Sequence, residues 1–472
     1  MPREKCGVIG IASVKGRKPV AGALHQGLYA LQHRGQESAG IYVFNGKSIA
    51  GYKGMGLVSN VFNAERLKEL SGFTGIGHVR YSTTASSTVE EAQPFLFKSS
   101  KFTFALAFNG TISNFIDLRL KLSEKGYTFK TDTDTEVLAN LIGHHLLETG
   151  DYVEAIRLSV QAMEGAYSAL LLSGDGEIYA FRDPLGFKPL CLGAAEEQVV
   201  VASESCALES LGVQYLGSVK PGELVEVGSN GVKRTLLARA DRRARCMFEY
   251  VYFSSPASIF DGVWIYRARE NIGRELARTQ PAEADVVIPV PDSGRSAALG
   301  YSQASGIPMV EGLMKNRYVG RVFITPNEKD REEMVRLKLI PIKPLIEGKR
   351  VVLIDDSIVR GTTMKHIVNL VRSAGAKEVH VRISCPPIVA GCYMGIDFPT
   401  RRELIAFTHS VDEIKGLIGA DSLGYNTLDG LIKGIGLPEN ELCLACLTGK
   451  YPIKPTVKLS ELEEALRRMR RR

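Results

Sequence analysis

The sequence contains no long hydrophobic run. No stretch approaches the roughly 18 consecutive apolar residues that a bilayer-spanning helix requires, and the first residues lack the apolar core of a secretory signal. The chain also has no internal repeat and no long low-complexity segment. These absences exclude a repeat architecture and predict a cytoplasmic protein without a membrane partner.

The charge balance is mildly basic and uneven. Lys and Arg number 59 against 52 Asp and Glu, which gives a formal net charge of +7. Much of the excess lies at residues 466–472, where a solvated helix end explains it better than nucleic-acid binding does. We therefore predict no nucleic-acid partner, whereas the remaining basic surface suits anionic substrates such as phosphates.

Composition and patterning indicate two globular domains. The 472 residues exceed one ordinary core, and 44% of them are hydrophobic. Strand and hairpin signals fill residues 6–230, whereas near-continuous apolar strands alternate with helices in the second half, which predicts a parallel sheet. We expect such strands at Val286–Val290, Val351–Ile354 and Glu378–Ile383. The pattern changes at residues 235–245, and this places the domain boundary there.

One of these strands leads into a phosphate-binding pattern. Two carboxylates follow the strand at the carboxyl edge of the sheet, and a short loop with a glycine and two threonines precedes a helix. Backbone N–H groups and hydroxyls in such a loop form a cradle for anions, and the carboxylates can hold ribose hydroxyls and Mg²⁺. The residues are Asp355, Asp356, Ser357, Arg360, Gly361, Thr362 and Thr363.

This segment resembles the signature with which phosphoribosyltransferases bind 5-phosphoribosyl-1-pyrophosphate (PRPP). The resemblance implies that Ser293, in a loop after an earlier strand, joins the two aspartates at a Mg²⁺ ion; which of the three touch the metal directly stays open. Lys315 and Arg317 would supply cations beside this polyanion. The charged stretch Thr325–Leu339 predicts a mobile lid that excludes water from the reacting centre.

A cysteine near the start gives the first half a chemistry of its own. A thiol nucleophile needs a base, and a free N-terminal amine can be one. Removal of Met1–Lys5 would place such an α-amine on Cys6 itself. Because an α-amine titrates near pH ~8 in model peptides, its base form is available at neutrality.

Other residues of the first half follow this cysteine in an order that resembles the N-terminal-nucleophile glutamine amidotransferases. The matching positions are Cys6, Arg80, Asn109, Gly110 and Asp134, with their flanking residues. The resemblance implies a propeptide over residues 1–5 and attack by Cys6 on the glutamine amide. It further implies that Asn109 and the N–H of Gly110 stabilise the oxyanion. Arg80 would bind the glutamine α-carboxylate and Asp134 its α-ammonium.

Seven further thiols need another explanation. The chain has eight cysteines, at positions 6, 191, 206, 246, 385, 392, 443 and 446. In a cytosolic protein they are buried fillers, nucleophiles or metal ligands rather than disulfides. Cys443 and Cys446 form a C-x-x-C pair, which by itself is a weak signal because a zinc site needs two more ligands. We interpret Cys191 and Cys206 as buried fillers.

The sequence around four thiols resembles cysteine-ligated members of the amidophosphoribosyltransferase family. In those proteins four such thiols hold a [4Fe–4S] cluster, for which thiolates are the usual ligands. The resemblance implies Cys246, Cys392, Cys443 and Cys446 as the ligands here. Cys385 competes with Cys392 for the fourth position, and a tetrahedral zinc site remains the alternative.

Both halves together resemble this family over nearly the whole chain. The resemblance implies an N-terminal-nucleophile αββα sandwich over residues 6–240, followed by a type I phosphoribosyltransferase α/β domain with a parallel sheet over residues 241–472. It implies that glutamine, PRPP and water yield 5-phosphoribosylamine, glutamate and pyrophosphate, the first committed step of purine synthesis, with Mg²⁺ as cofactor. Feedback inhibition by purine nucleotides and a homotetramer rest on the resemblance alone.

Other protein classes share one half of this pattern. Glucosamine-6-phosphate synthase has the amide-hydrolysing half but lacks a loop like Asp355–Thr363. Some repressors sense PRPP with the phosphoribosyl fold, yet such a regulator would not need Cys6, Asn109-Gly110 and Asp134 in order. A degenerate structural homologue would not need the complete set of motifs.

Overall fold

The computed structural model describes residues 6–15, 17–81, 88–228, 231–316, 338–396 and 401–453. Strands with alternating apolar residues dominate its first half. The strands are β1 (Gly7–Ser13), β2 (Ser38–Phe44), β3 (Ile49–Met55), β4 (Thr74–Arg80), β5 (Phe95–Lys98), β6 (Thr103–Ile112), β7 (Gly165–Ser173), β8 (Ile178–Arg182), β9 (Cys191–Ala194), β10 (Gln198–Ala202), β11 (Gln214–Ser218), β12 (Glu223–Gly228) and β13 (Gly231–Leu236). The helices are α1 (Ala21–Ala30), α2 (Val58–Val61), α3 (Ala64–Glu69), α4 (Phe115–Glu124), α5 (Asp134–Thr149), α6 (Tyr152–Ala162) and α7 (Ser205–Ser210).

These strands form two sheets that face each other. One sheet has the order β11-β9-β10-β1-β4-β2-β3 and the other β13-β12-β8-β7-β6-β5. Val8 of β1, Ile76 of β4 and Ala107 of β6 belong to the core between the sheets. Their sequence neighbours point outward, where α1 covers one sheet and α4, α5 and α6 cover the other. The predicted αββα sandwich is confirmed.

The second half alternates strands and helices. Its strands are β14 (Arg245–Cys246), β15 (Ile259–Phe260), β16 (Val263–Trp264), β17 (Val286–Pro289), β18 (Leu313–Lys315), β19 (Leu339–Pro341), β20 (Arg350–Asp355), β21 (Glu378–Ile383), β22 (Ser422–Tyr425) and β23 (Leu442–Cys443). Its helices are α8 (Ile265–Thr279), α9 (Arg295–Ser305), α10 (Lys343–Ile346), α11 (Thr362–Ser373), α12 (Ile405–Thr408), α13 (Val411–Ile418), α14 (Leu428–Ile435) and α15 (Ala445–Thr448), and a π-helix spans Glu249–Phe253.

Four of these strands build the predicted parallel sheet, in the order β17-β20-β21-β22. Val351 and Leu353 of β20 pack into one core, and Val352 and Ile354 pack into another on the opposite face. Because helices cover both faces, the strand is apolar throughout rather than alternating. The carboxyl ends of β17 and β20 are adjacent, since Val290 N–H donates to the carbonyl of Ile354 at 2.9 Å.

The two halves are joined by buried charges. Asp261, in the tight turn between β15 and β16, accepts hydrogen bonds from Arg182 of the first half at 2.9 and 3.1 Å. Arg245 donates to the same carboxylate at 2.5 Å. Burial alone would raise the pKa of Asp261, but the two guanidiniums lower it to about 2. The Asp261 carboxylate is therefore ionised at neutral pH, and its ion pairs with Arg182 and Arg245 hold the β15–β16 hairpin in place.

Several sequence predictions concern residues outside the described ranges. They are the propeptide Met1–Lys5, the cation Arg317, almost all of the expected lid Thr325–Leu339 and the basic residues 466–472. Within the described part of the chain, no helix combines the length and apolarity that crossing a membrane requires.

Candidate active site

Cys6 lies at the start of β1, between the two sheets of the first half. β1 is central in its sheet, flanked by β4 and β10. Because side chains alternate along a strand and Val8 faces the inner core, Cys6 faces the second sheet. Gly7 pairs with Val79, so Cys6 and Arg80 lie at the same end of neighbouring strands. The predicted nucleophile and the predicted carboxylate-binding arginine are thus brought together.

Asn109 occupies the facing sheet. It is fully buried in β6, on the same inner face as Ala105 and Ala107. Neither its amide nitrogen nor its amide oxygen has a hydrogen-bond partner among the described residues. Buried amides are nearly always hydrogen-bonded, so this one is free to donate to a ligand between the sheets.

Gly110 continues the same strand. β6 extends beyond Gly110 to Ile112, because Gly110 pairs with Tyr167 of β7 and Ile112 with Gly165. A side chain at Gly110 would overlap the carbonyl oxygen of Ala166, so only glycine permits this close pairing. The Asn-Gly pair is therefore held rigidly rather than placed in a hairpin turn.

Two buried side chains fix this strand against its surroundings. Nε2 of His78 in β4 hydrogen-bonds the carbonyl of Phe108 at 3.1 Å, across the space between the sheets. Burial lowers the pKa of His78 to about 3, so the ring is neutral and donates from Nε2 to the carbonyl. Gln93 accepts from Phe108 N–H at 2.7 Å and donates to Thr135 at 3.1 Å. Gln93 therefore connects the Asn109 strand to the helix that begins at Asp134.

Arg80 and Asp134 supply opposite charges at this end of the sandwich. One terminal nitrogen of Arg80 contacts Glu91 at 3.1 Å, while Nη1 is buried and has no partner in the described ranges. Asp134, the first residue of α5, accepts from the backbone N–H of Ile112 at 3.1 Å. Burial raises the pKa of Asp134 to about 6, despite the opposing hydrogen bonds. The arrangement has one charge of each sign for an amino acid's carboxylate and ammonium.

Arg34, which the sequence did not single out, anchors the predicted nucleophile. Its side chain is completely buried, and Nε donates to the backbone carbonyl of Cys6 at 3.0 Å. The other nitrogens donate to Glu204 at 2.5 Å and to Glu249 at 2.9 and 3.1 Å. Burial alone would lower the pKa of Arg34, but the two carboxylates raise it above its ordinary value. A buried arginine needs such partners, yet the sequence does not reveal which carboxylates provide them.

A second site lies at the carboxyl edge of the parallel sheet. Asp355 and Asp356 are buried at the end of β20. Ser293 lies in the loop after β17. The next residue, Gly294, packs so closely on β20 that a Cβ on Gly294 would overlap the carbonyl oxygen of Ile354. Lys315 reaches the same loop through an ion pair with Asp292 at 2.7 Å. The structure therefore brings the predicted metal and pyrophosphate residues together, Arg317 excepted because it is not described.

The two aspartates form an acidic pair that suits a cation. Burial and the neighbouring Asp356 carboxylate raise the pKa of Asp355 well above its usual range. Asp356 accepts from the Ser357 hydroxyl at 2.6 Å through one oxygen, while its buried Oδ1 has no partner among described residues. A divalent cation with oxygen ligands would satisfy both features, so the donor set fits Mg²⁺.

The loop after the aspartates has the geometry of an anion cradle. Gly361 adopts φ of 79°, a left-handed conformation that favours glycine, and immediately precedes α11. Thr362 and Thr363 form the first turn of that twelve-residue helix, rather than belonging to the loop before it. Arg360 is exposed and pairs with Glu403 at 3.1 Å. Backbone N–H groups and hydroxyls therefore converge where an anion binds best.

The predicted cluster cysteines lie at the junction of the halves. β14 and β23 form a two-stranded parallel pair in which Cys246 is opposite Cys443. Cys392 Sγ accepts backbone N–H bonds from Met394 at 3.3 Å and from Ile396 at 3.4 Å. Burial raises the pKa of Cys246 and Cys446 well above the usual range, and that of Cys443 to about 12. Buried thiols with a raised pKa fit a site that becomes anionic only when metal binds.

Cys385 lies between the two sites, because its thiol is near enough to Cys446 to add to the burial that raises the pKa of that thiol. Its backbone N–H donates to the carbonyl of Asp356 at 2.9 Å, which ties it to the phosphate-binding edge of the sheet. Its side chain is fully buried. Among the described residues, no three thiols lie within 4.8 Å of one another.

Comparison with known proteins identifies two domain types. Residues 78–210 match the model of a glutamine amidotransferase domain, and residues 259–389 match that of a phosphoribosyl transferase domain. The amidophosphoribosyltransferase of Methanocaldococcus jannaschii is 51% identical, over 95% of this chain and 97% of that protein.

Two solved structures have the same fold over nearly their full length. The glutamine PRPP amidotransferase of Bacillus subtilis, complexed with ADP and GMP, aligns with a TM-score of 0.89 at 45% identity. The alignment covers 96% of this chain and 98% of that one. A structure described as the allosteric regulatory enzyme of purine biosynthesis aligns with a TM-score of 0.90 at 44% identity, covering 98% and 99%. The chain therefore belongs to the amidophosphoribosyltransferase family, whose members use glutamine and PRPP to make 5-phosphoribosylamine in the first step of purine biosynthesis.

Proposed function

We propose that Cys6 is the nucleophile of the glutamine-dependent reaction, with its own α-amine as base once Met1–Lys5 have been removed. The thiol proton passes to the amine as sulfur attacks the amide carbon, and the amine returns it to the departing ammonia. Water then hydrolyses the thioester to glutamate. The position of Cys6 between the sheets, with its carbonyl held by Arg34, supports this role.

The charge that develops on the amide oxygen meets donors on the facing strand. The Asn109 amide and the Gly110 N–H would hold the oxyanion, and one such donor is worth about 3–4 kcal/mol in hydrolases. The unpartnered amide of Asn109 is the observation that carries this assignment, because nothing else in the described residues satisfies it. Arg80 and Asp134 would bind the α-carboxylate and α-ammonium of glutamine.

The second half would bind PRPP at the carboxyl edge of its sheet. Asp355, Asp356 and Ser293 would hold Mg²⁺, which when bound neutralises charge on the pyrophosphate. Lys315 and Arg317 would add positive charge to the leaving group. The phosphate and ribose would lie on the loop and helix start formed by Ser357, Arg360, Gly361, Thr362 and Thr363. Ammonia forms the new bond to C1 of the ribose as the bond to pyrophosphate breaks.

Ammonia must pass from Cys6 to C1 without being protonated by bulk water. A closed internal path is therefore part of the proposal, and Thr325–Leu339 is the candidate for the segment that covers the site. The domain division at residues 6–240 and 241–472 follows the same logic, with one reaction in each part. We place the enzyme in the cytoplasm, where both substrates are available.

The four junction thiols would hold a [4Fe–4S] cluster. Cys246, Cys392, Cys443 and Cys446 are the proposed ligands, since the first and third are paired across β14 and β23 and the second has two N–H donors. When bound, the cluster would tie the domain junction to the segment around Cys446, which is a structural role. Its loss should lower stability together with both half-activities.

A relative solved with bound nucleotides supports a proposal on regulation. The Bacillus subtilis enzyme was solved with ADP and GMP, and purine nucleotides are the end products of this pathway. We propose that purine nucleotides inhibit this enzyme and that it assembles as a homotetramer.

Replacement of the nucleophile tests the two-site proposal. Cys6→Ala should abolish phosphoribosylamine synthesis from glutamine but leave synthesis from high ammonia and PRPP within about twofold, because the second site is intact. Asp355→Asn should abolish synthesis from glutamine and synthesis from ammonia, whereas any residual glutaminase activity should survive. An N-terminal mass measurement on the wild type checks removal of residues 1–5. Glutamine-dependent synthesis by Cys6→Ala would contradict the proposal.

A further inference from the structure

A buried chain of charges runs from the nucleophile into the second half of the protein. The Arg34 guanidinium contacts the carbonyl of Cys6 on one side and both carboxylate oxygens of Glu249 on the other. Glu249 lies in the π-helix after β14, in the phosphoribosyltransferase half, and its side chain is 1% exposed. The amidotransferase half thus depends on a carboxylate that it does not itself contain.

Glu249 is held as firmly as the arginine it binds. The hydroxyl of Ser254 donates to its second oxygen at 2.6 Å. Burial alone would raise the pKa of Glu249, but Arg34 lowers it below its ordinary value, so the carboxylate is ionised. A bidentate arginine–carboxylate pair of this kind fixes orientation as well as charge.

The chain of contacts continues towards the PRPP site. Arg269 of α8 donates to the carbonyls of Tyr250 and Ser254, which both follow Glu249 in the chain, at 2.8 and 2.7 Å. Arg269 is buried, and burial lowers its pKa to about 10 although the Asp356 carboxylate acts in the opposite direction. The segment that carries Glu249 is therefore anchored to a cation in the electrostatic field of the metal-binding aspartates.

The contact with Cys6 has a particular effect on an N-terminal residue. After removal of residues 1–5, the peptide group that joins Cys6 to Gly7 is its only backbone anchor. A hydrogen bond to that carbonyl fixes the plane from which the thiol and the α-amine project. Any shift of the Arg34 guanidinium therefore changes the direction of both reacting groups.

We infer that Glu249 is a positioning residue for glutamine hydrolysis, which aligns Cys6 through Arg34 from the phosphoribosyltransferase half. This inference rests on the proposed role of Cys6. Glu204 accepts from the Arg34 guanidinium within the first half of the protein. Glu249 accepts from the same guanidinium, so the position of Arg34 also depends on the second half. The cysteine is fully aligned only when both halves are in register.

The test compares Glu249→Gln with Asp261→Asn. Both residues are buried carboxylates that bind arginines of the first half, but Asp261 does not touch Arg34 or Cys6. In Glu249→Gln we expect kcat for glutamine-dependent synthesis to fall about tenfold or more, because 1 Å of misplacement costs about 10²-fold. The KM for glutamine should change less than about twofold, since Arg80 and Asp134 remain. Ammonia-dependent synthesis should be unaffected, and alkylation of Cys6 by iodoacetamide should slow in parallel with kcat.

Asp261→Asn should leave the ratio of glutamine-dependent to ammonia-dependent activity unchanged. Equal loss of both activities in Glu249→Gln, or no loss, would overturn the inference. If Glu249→Gln does not fold, Ser254→Ala should show the same split at smaller amplitude, and an unchanged ratio there would also overturn it. Glutamine-dependent activity in Cys6→Ala would instead refute the proposed nucleophile, so the two failures are distinguishable.

Discussion

At the scale of single residues, the amide of Asn109 stands out because it is buried without a partner. An unsatisfied buried polar group costs about 1–3 kcal/mol, so the fold tolerates a loss here that a substrate can recover. Stability and catalysis should therefore respond to this residue in opposite ways.

Asn109→Ala should lower kcat/KM for glutamine by about 10²–10³-fold, because one oxyanion donor is lost. The thermal midpoint should not fall, since the removed amide satisfies no hydrogen bond in the described structure. Steady-state kinetics and a melting curve on the same sample measure both effects. A large fall in melting temperature with a proportionate loss of ammonia-dependent activity would contradict the prediction.

Asp134 predicts a pH dependence of glutamine binding. Its pKa is raised to about 6, so the carboxylate is protonated below that pH and cannot pair with the α-ammonium. In Cys6→Ala, which binds without reacting, the Kd for glutamine by calorimetry should rise as pH falls through about 6. Asp134→Asn should bind weakly at every pH, whereas the exposed Asp132→Asn should follow the parent profile. A flat profile in Cys6→Ala would exclude Asp134 as the ammonium partner.

At the scale of elements, periodicity and motif context predicted what is local. β17, β20 and β21 lie where the apolar runs predicted strands. α5 begins at Asp134, where Thr133 caps the helix by accepting from Glu136 N–H. The continuation of β6 beyond Gly110 was missed, because Asn-Gly is also a turn signal and only pairing with β7 distinguishes the two. Elements whose bounds depend on a neighbouring strand are not readable from one segment.

The cluster proposed beside the pair β14–β23 predicts which cysteine variants lose iron. Cys392→Ala should lose iron and sulfide, whereas Cys385→Ala should retain about four iron atoms per chain, since the sequence around Cys392 is the one that resembles the family's ligands and the backbone N–H of Cys385 is hydrogen-bonded to Asp356. Iron, zinc and acid-labile sulfide analysis of anaerobically purified protein measures this. The opposite result for the two variants would identify Cys385 rather than Cys392 as the fourth ligand. About one zinc per chain without sulfide would show that the thiols form a zinc site and not an iron–sulfur cluster.

At the scale of the whole molecule, the ion pairs between the two halves are the part that the sequence alone could not predict. Both catalytic motifs are local, so their residues were identifiable one segment at a time. Arg34 pairs with Glu249, and Arg182 pairs with Asp261, across long separations along the chain. Any of many acidic residues could have served, and only the docked halves select these.

The Asp261 junction predicts an acid-sensitive contribution to stability. Because its pKa is lowered from 3.8 to about 2, this carboxylate stabilises the fold by about 2 kcal/mol above pH 4. That contribution is lost as pH falls through about 2. Asp261→Asn should therefore lower the urea midpoint at neutral pH, and the difference from wild type should shrink on acidification. The only tryptophan, Trp264, lies in the same hairpin and reports unfolding there by fluorescence; a difference independent of pH would contradict the assignment.

The parallel pairing of Cys246 with Cys443 also has a consequence for the order of events during synthesis. Every strand of the parallel sheet lies between the two cysteines in the chain, so the ribosome makes all four strands before the second thiol. The paired site cannot nucleate folding of the half that it closes. Assembly at this site is therefore a late step, and a chain interrupted before Cys443 would carry both catalytic motifs without the junction that joins them.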